Sequence, residues 1–229
     1  MEIYNVGFLG STVSSTFDPD SISGLGAWYD ASDNSTITES SARVSQWDDK
    51  KGTADLVETD GSKQPLLVSA DQNGLDIINF TGSRQMVTAS LSAISQPQTW
   101  YIVMTAPVAD GINTKRPIDS GSQQMFHSAS ANQFAIYAGA ELKFTQSLGT
   151  TQYYIWTLRY NGSSSDLLLD DTSKISGNVG TDSAGTLNVA GRYGNHANNK
   201  FGEILRYDSD VSSGDNDLII AYLEDKWGL

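Results

Sequence analysis

Along this chain apolar residues come in short runs, each bounded by turn formers. "LGAWY" (25–29), "PLLVS" (65–69) and "LDIINF" (75–80) come first, and "QTWYIVMTA" (98–106) is the longest. Then follow "QQMFH" (123–127), "QFAIYA" (133–138), "ELKFT" (141–145), "YYIWTLRY" (153–160), "DLLLD" (166–170), "TLNVA" (186–190) and "FGEILRY" (201–207). Runs of this length, rich in β-branched and aromatic residues, predict strands. The clusters between them ("NGSSS", "SGNVGTDSAG", "GRYGNHANN") supply residues that tolerate the positive φ of tight turns. In "QFAIYAGAELKFTQ" the alternation places Phe134 and Ile136 on one inward face and Leu142 and Phe144 on the other arm's, which predicts a hairpin.

One stretch has a helical period. After Ser212 and Ser213 comes "GDNDLIIAYLEDKWGL". Leu218, Ile219, Tyr222, Leu223 and Trp227 form the expected apolar stripe, with Asp217, Glu224 and Asp225 turned away. Ser212 or Ser213 serves as N-cap, Lys226 sits at the negative end and Gly228 closes the helix. Many short strands with one helix predict an all-β fold, a two-sheet antiparallel jelly-roll sandwich with a C-terminal amphipathic helix. Residues 1–22, rich in Ser, Thr and Asp, read as an arm tethered by Ile3, Tyr4, Phe8 and Phe17, and 23–229 as one domain.

The chain has 229 residues and no cysteine, which excludes disulfides, thiolate metal sites and a cysteine nucleophile. A net charge of −13 leaves no basic patch for phosphates, so nucleic acid is not an expected partner. The first residues have neither a basic nor a continuous apolar region, so no Sec signal peptide is expected in them, and no apolar run is long enough for membrane insertion.

Five segments occur in a telling order: "GLGAWYDASDNSTIT", "RVSQWDDKKG", "QPLLV…NGLDIINFTGS", "LNVAGRYG" and "FGEILRYDSDVSSGDNDLIIAYLEDKWGL". Together they resemble the concanavalin A-like lectin/glucanase superfamily, and within it the laminin-G-like domains of phage and bacterial surface proteins. The resemblance covers about residues 22–229. It departs from the pattern at Lys50-Lys51-Gly52 and in lacking a second Glu in the closing motif. It implies a concanavalin A-like jelly roll that binds glycans or proteins, usually without catalysis.

The glucanases of that superfamily carry alternating acidic residues on one strand, as nucleophile and acid/base. Here the six glutamates, Glu2, Glu39, Glu58, Glu141, Glu203 and Glu224, include no such pair. The expectation is therefore that the chain is not an enzyme, with no catalytic residues, and a glycan hydrolase is kept only as a minority reading. His127 follows Met125-Phe126 in a strand and reads as a half-buried structural residue; His196 lies in a loop without a sequence-adjacent Ser or acid.

Asp30, Asp33, Asp48 and Asp49 are the candidate metal ligands, for calcium, which takes several oxygens. The competing reading, that they cap turns, needs only local geometry and is preferred. Most of the five tryptophans are expected in the core. Tyr193, Asn195, His196, Asn198 and Asn199 form the candidate ligand-binding loop, where amides suit hydroxyl recognition. The sequons at Asn34, Asn79 and Asn161 carry no weight without a secretory route.

The expected function is a surface-displayed module, first of all a phage virion protein of capsid or tail. It would be made in the host cytoplasm and contact glycans or neighbouring subunits. Its arm would dock on other virion or surface proteins, and a homo-oligomer is allowed. The alternative is a bacterial carbohydrate-binding adhesion protein that contacts cell-surface polysaccharide.

Overall fold

In the computed structural model, residues 17–52, 54–88, 93–107, 115–121, 124–130, 132–191 and 196–229 are described. In chain order the strands are β1 (Leu25–Asp30), β2 (Ile37–Ser40), β3 (Arg43–Trp47), β4 (Leu56–Val57), β5 (Leu66–Gln72), β6 (Leu75–Asn79), β7 (Met86–Thr88), β8 (Gln98–Thr105) and β9 (Lys115–Ser120). They continue as β10 (Gln124–Ser130), β11 (Gln133–Tyr137), β12 (Glu141–Thr145), β13 (Tyr153–Tyr160), β14 (Ser165–Leu169), β15 (Thr172–Gly177), β16 (Leu187–Val189) and β17 (Lys200–Tyr207). One helix, α1 (Ser213–Trp227), follows. All pairings between these strands are antiparallel, and the all-β sandwich expected from the sequence is what forms.

One layer runs β3-β4-β7-β16-β9-β10-β11-β12, with β2 beside β3. The other runs β15-β14-β13-β8-β17, and β17 pairs on its far side with β1 and β6. The single pair Arg43–Leu66 joins β3 to β5, and β5 joins β6, so the two layers are nearly closed into one sheet.

The longest apolar run becomes the centre of the molecule. Every residue of β8 is buried. Trp100, Ile102 and Met104 enter the core between the layers, while Tyr101 and Val103 enter a second core beneath α1. A strand covered on both faces has no polar alternation to display, which explains its unbroken apolar sequence.

Helix α1 lies on the outer face of the β8 layer through Ile219, Ile220, Leu223 and Trp227. Leu218, expected in that stripe, is 47% exposed; Ile220 takes its place because the helix is rotated toward Asn216, which is buried and accepts from Tyr101 Oη at 3.0 Å. Ser212 is the N-cap and Gly228 adopts the left-handed C-cap conformation. The β5–β6 turn closes the helix end: Gln72 Nε2 donates to the Trp227 carbonyl (2.7 Å) and Asn73 Nδ2 to that of Lys226 (2.9 Å).

Of the arm residues, Ile3, Tyr4 and Phe8 lie outside the described residues. Phe17 is half-buried and packs on Tyr222 of α1 with ring centroids 5.6 Å apart. No helix among the described residues is long and apolar enough to cross a membrane.

Candidate functional site

The motif residues that carry the resemblance converge on one buried polar group. A bulge in β17 at Gly202 turns the Glu203 side chain toward α1, where it is fully buried. Trp28 Nε1 (2.7 Å) and Tyr222 Oη (2.9 Å) donate to its Oε1. Lys226 Nζ (2.8 Å) and Trp227 Nε1 (2.9 Å) donate to its Oε2. Lys226 also contacts Asp30 Oδ2 at 2.8 Å and donates to Tyr222 Oη at 3.1 Å, which uses its three N–H groups. Burial pushes the Glu203 carboxyl above its usual range and Lys226 pulls it back. With four donors aimed at two oxygens, the arrangement is that of a carboxylate. This network fastens helix to sheet.

The candidate metal ligands belong partly to the same region. Asp30 Oδ1 accepts from the backbone N and Oγ of Ser32, and its Oδ2 faces Lys226 and Lys50. Asp33 caps the next turn through Ser35 and pairs with Lys50 at 2.9 Å. Asp48 accepts from Gln46, and Asp49 from the backbone N–H groups of Trp28 and Lys51. Among the described residues no group of three or more His, Asp or Glu is placed to hold a metal ion.

In the candidate loop, Tyr193 and Asn195 lie outside the described residues. Asn198 Oδ1 accepts from Gly82 N at 2.8 Å, and buried Asn199 donates to the Thr105 carbonyl at 2.6 Å, so both amides hold the loop down. His196 is half-buried against Gly191 and Gln85.

A different set of side chains is brought together on the outer face of the β9–β12 layer. The inward residues Ile118, Phe126, Phe134 and Ile136 fill the core. The alternate positions therefore face away from it. Register aligns Asn188, Asp119, Met125, Tyr137 and Glu141 in one row across five strands. The next row holds His127, Ala135 and Lys143, with Arg116 beside a bulge in β9 at Arg116-Pro117. Proline lacks the ladder N–H and is accommodated at such a bulge.

These positions share one polar face, called the recess below because its middle is buried and its edge exposed. Its floor is buried, with Asp119 at 0% and His127 at 8% exposure, while Glu141 and Lys143 at its rim are exposed and Arg116, Tyr137 and Asn188 half-buried. Arg116 Nη1 pairs with Asp119 Oδ2 at 2.8 Å, and Lys143 Nζ with Glu141 Oε2 at 2.9 Å. His127 Nε2 comes within 3.2 Å of Glu141 Oε1 without hydrogen-bond alignment. Both ring nitrogens of His127, and Nε of Arg116, are buried without a hydrogen-bond partner. Burial lowers the imidazole pKa to about 4, with Arg116 and Lys143 acting in the same direction and Glu141 and Asp119 opposing. The ring is neutral at pH 7, offering one donor and one acceptor.

The reading of His127 as half-buried is thus corrected: the ring is buried, and neither nitrogen has a hydrogen-bond partner. Sequence reasoning missed this recess because its members come from five strands, and β9, with a central proline, has no strand signature. The available signal was the period of two, which sets His127 and Glu141 opposite their apolar neighbours.

No family model and no curated protein matches the chain. Solved structures share its fold at low identity. Trypanosoma rangeli sialidase in complex with sialic acid aligns with a TM-score of 0.60 at 12% identity, over 90% of this chain and 33% of that one. The same sialidase in complex with the inhibitor DANA gives 0.61 at 13%, over 87% and 33%. The ligand binding domain of botulinum neurotoxin serotype D, in complex with N-acetylneuraminic acid, gives 0.58 at 10%, over 86% and 50%. The chain thus spans a third of the sialidases' length and half of the neurotoxin domain's.

This likeness overturns one expectation, that the chain is not an enzyme. Its fold is carried by sialidases, and the missing glutamate pair excludes only the glucanase type of chemistry.

Proposed function

We propose that the protein is a glycan-binding module and that the recess on the β9–β12 face is where it meets sugar. The observation that carries this reading is His127, buried on an outer sheet face with both ring nitrogens unpartnered beside the unpartnered Nε of Arg116. Leaving such a group buried and unsatisfied costs about 1–3 kcal/mol, which a hydroxyl-bearing ligand would recover. Half-buried Tyr137 on the same face provides a flat apolar surface of the kind that lines ligand sites. The sialic acid and N-acetylneuraminic acid complexes named for proteins of this fold support the same class of ligand.

The laminin-G-like resemblance belongs to this proposal. So does display on a phage virion or, alternatively, a bacterial cell surface, with residues 1–22 as the attachment segment. Binding of the full chain to a panel of immobilised bacterial surface polysaccharides tests the reading. Saturable binding to at least one glycan is expected; none across the panel would overturn it.

A further inference from the structure

We infer that the recess selects a neutral, hydroxyl-rich sugar over an acidic one. This rests on the glycan-binding reading and adds the class of glycan.

The charges of the recess are already matched. Arg116 is committed to Asp119, and Lys143 to Glu141. Among the described residues of this face, neither Arg116 nor Lys143 is left without an acid partner for a sugar carboxylate to replace. Such a carboxylate would also face the Glu141 oxygens at the rim and the Asp119 carboxylate on the floor, both of its own sign. The open valences are different in kind. Neutral His127 needs an acceptor for one nitrogen and a donor for the other, and Arg116 Nε–H needs an acceptor. A hydroxyl both donates and accepts, so two adjacent hydroxyls of a pyranose can satisfy all three atoms. A carboxylate only accepts and leaves the lone pair of the imidazole unmet. Tyr137, next to Glu141 in register, can lie under the apolar face of the same ring.

The class separates this chain from the proteins whose fold it shares, since those complexes hold sialic acid, an acidic sugar. The difference follows from the pairing of half-buried Arg116 with Asp119, which matches the charge of the guanidinium and leaves it one open donor, Nε–H.

The test is an array of paired oligosaccharides that differ by one acidic residue, such as lactose against 3′-sialyllactose, together with neutral hexose oligomers and their uronic acid analogues. The full chain, Tyr137→Ala and Glu141→Gln are compared, with thermal melting to check that each folds. The neutral member of a bound pair should bind at least about tenfold tighter than the acidic one. Tyr137→Ala should weaken neutral binding by about tenfold, and Glu141→Gln should narrow the gap between neutral and acidic. Equal or tighter binding of acidic members overturns the neutral assignment and leaves the glycan reading standing. Neutral binding that Tyr137→Ala leaves unchanged overturns the recess as its location. No binding to any glycan overturns both.

Discussion

The indole of Trp227 lies against the bare Cα of Gly202. A methyl group built on Gly202 would stand 2.8 Å from the six-membered ring, closer than packed carbons approach. The glycine is required by this contact, since its φ lies outside the left-handed region. Gly202→Ala should therefore displace the indole and lower the melting temperature. Trp227→Ala, which empties a fully buried site, should cost about 3–5 kcal/mol in chemical denaturation. A Gly202→Ala protein as stable as the wild type would show that the close approach is not needed.

Glu203 is the acceptor for four donors from β1 and α1. Replacing it by Leu removes the acceptor of two indole N–H groups and the Tyr222 hydroxyl, and leaves half-buried Lys226 with Asp30 as its acid partner. The expected loss is about 3–5 kcal/mol. The double change Glu203→Leu with Lys226→Met also removes the ammonium that faced the lost carboxylate and should cost less than the sum of the two single changes. Additive losses in urea titrations would contradict the coupling.

These two residues show what was legible in the sequence. "F-G-E" and "Y-L-x-D-K-W-G-L" could be read as a closing motif and an anchoring helix, because cap residues and a 3.6 period are local signals. What they close upon was hidden, since Trp28 and Asp30 arrive from residues 175 and 173 positions away only when β1 pairs with β17. Turns followed the same rule. The Asn73-Gly74 turn between β5 and β6 announces itself, whereas Ser41-Ala42 and Asp170-Asp171 take positive φ at both positions without a glycine. The recess was least legible, because it depends on the register of five strands and on a bulge around Pro117.

His127 should leave a mark on the pH dependence of stability. Its pKa falls from 6.5 to about 4 on folding, chiefly through burial. Between those values the unfolded chain binds the proton that the fold refuses. Stability then rises with pH across this window and is complete above 6.5. From pH 7 down to pH 5 the single residue should remove about 2 kcal/mol. His127→Gln should flatten the profile by that amount in urea titrations at the two pH values. Parallel profiles for the two proteins would contradict a buried, neutral imidazole.

Asp30 bears on calcium. Its carboxylate already accepts from Ser32 and faces two lysines, and a bound cation would have to displace both ammonium groups. Millimolar calcium or EDTA should leave the melting temperature unchanged within about a degree, since only a ligand that binds the fold shifts it. Lys226→Met frees one face of Asp30; a rise in melting temperature with calcium in the unsubstituted protein would contradict the lysine-paired arrangement.

The most direct measurement of the central claim uses the fact that the chain has only two histidines, His127 and His196. Their ring signals can be followed by nitrogen-edited NMR while a glycan retained by the polysaccharide panel is titrated in. The recess predicts that the His127 ring nitrogens shift as they gain hydrogen bonds while those of His196 stay in place. A shift confined to His196, with His127 unmoved at saturation, would place the sugar in the 191–199 loop and contradict the account.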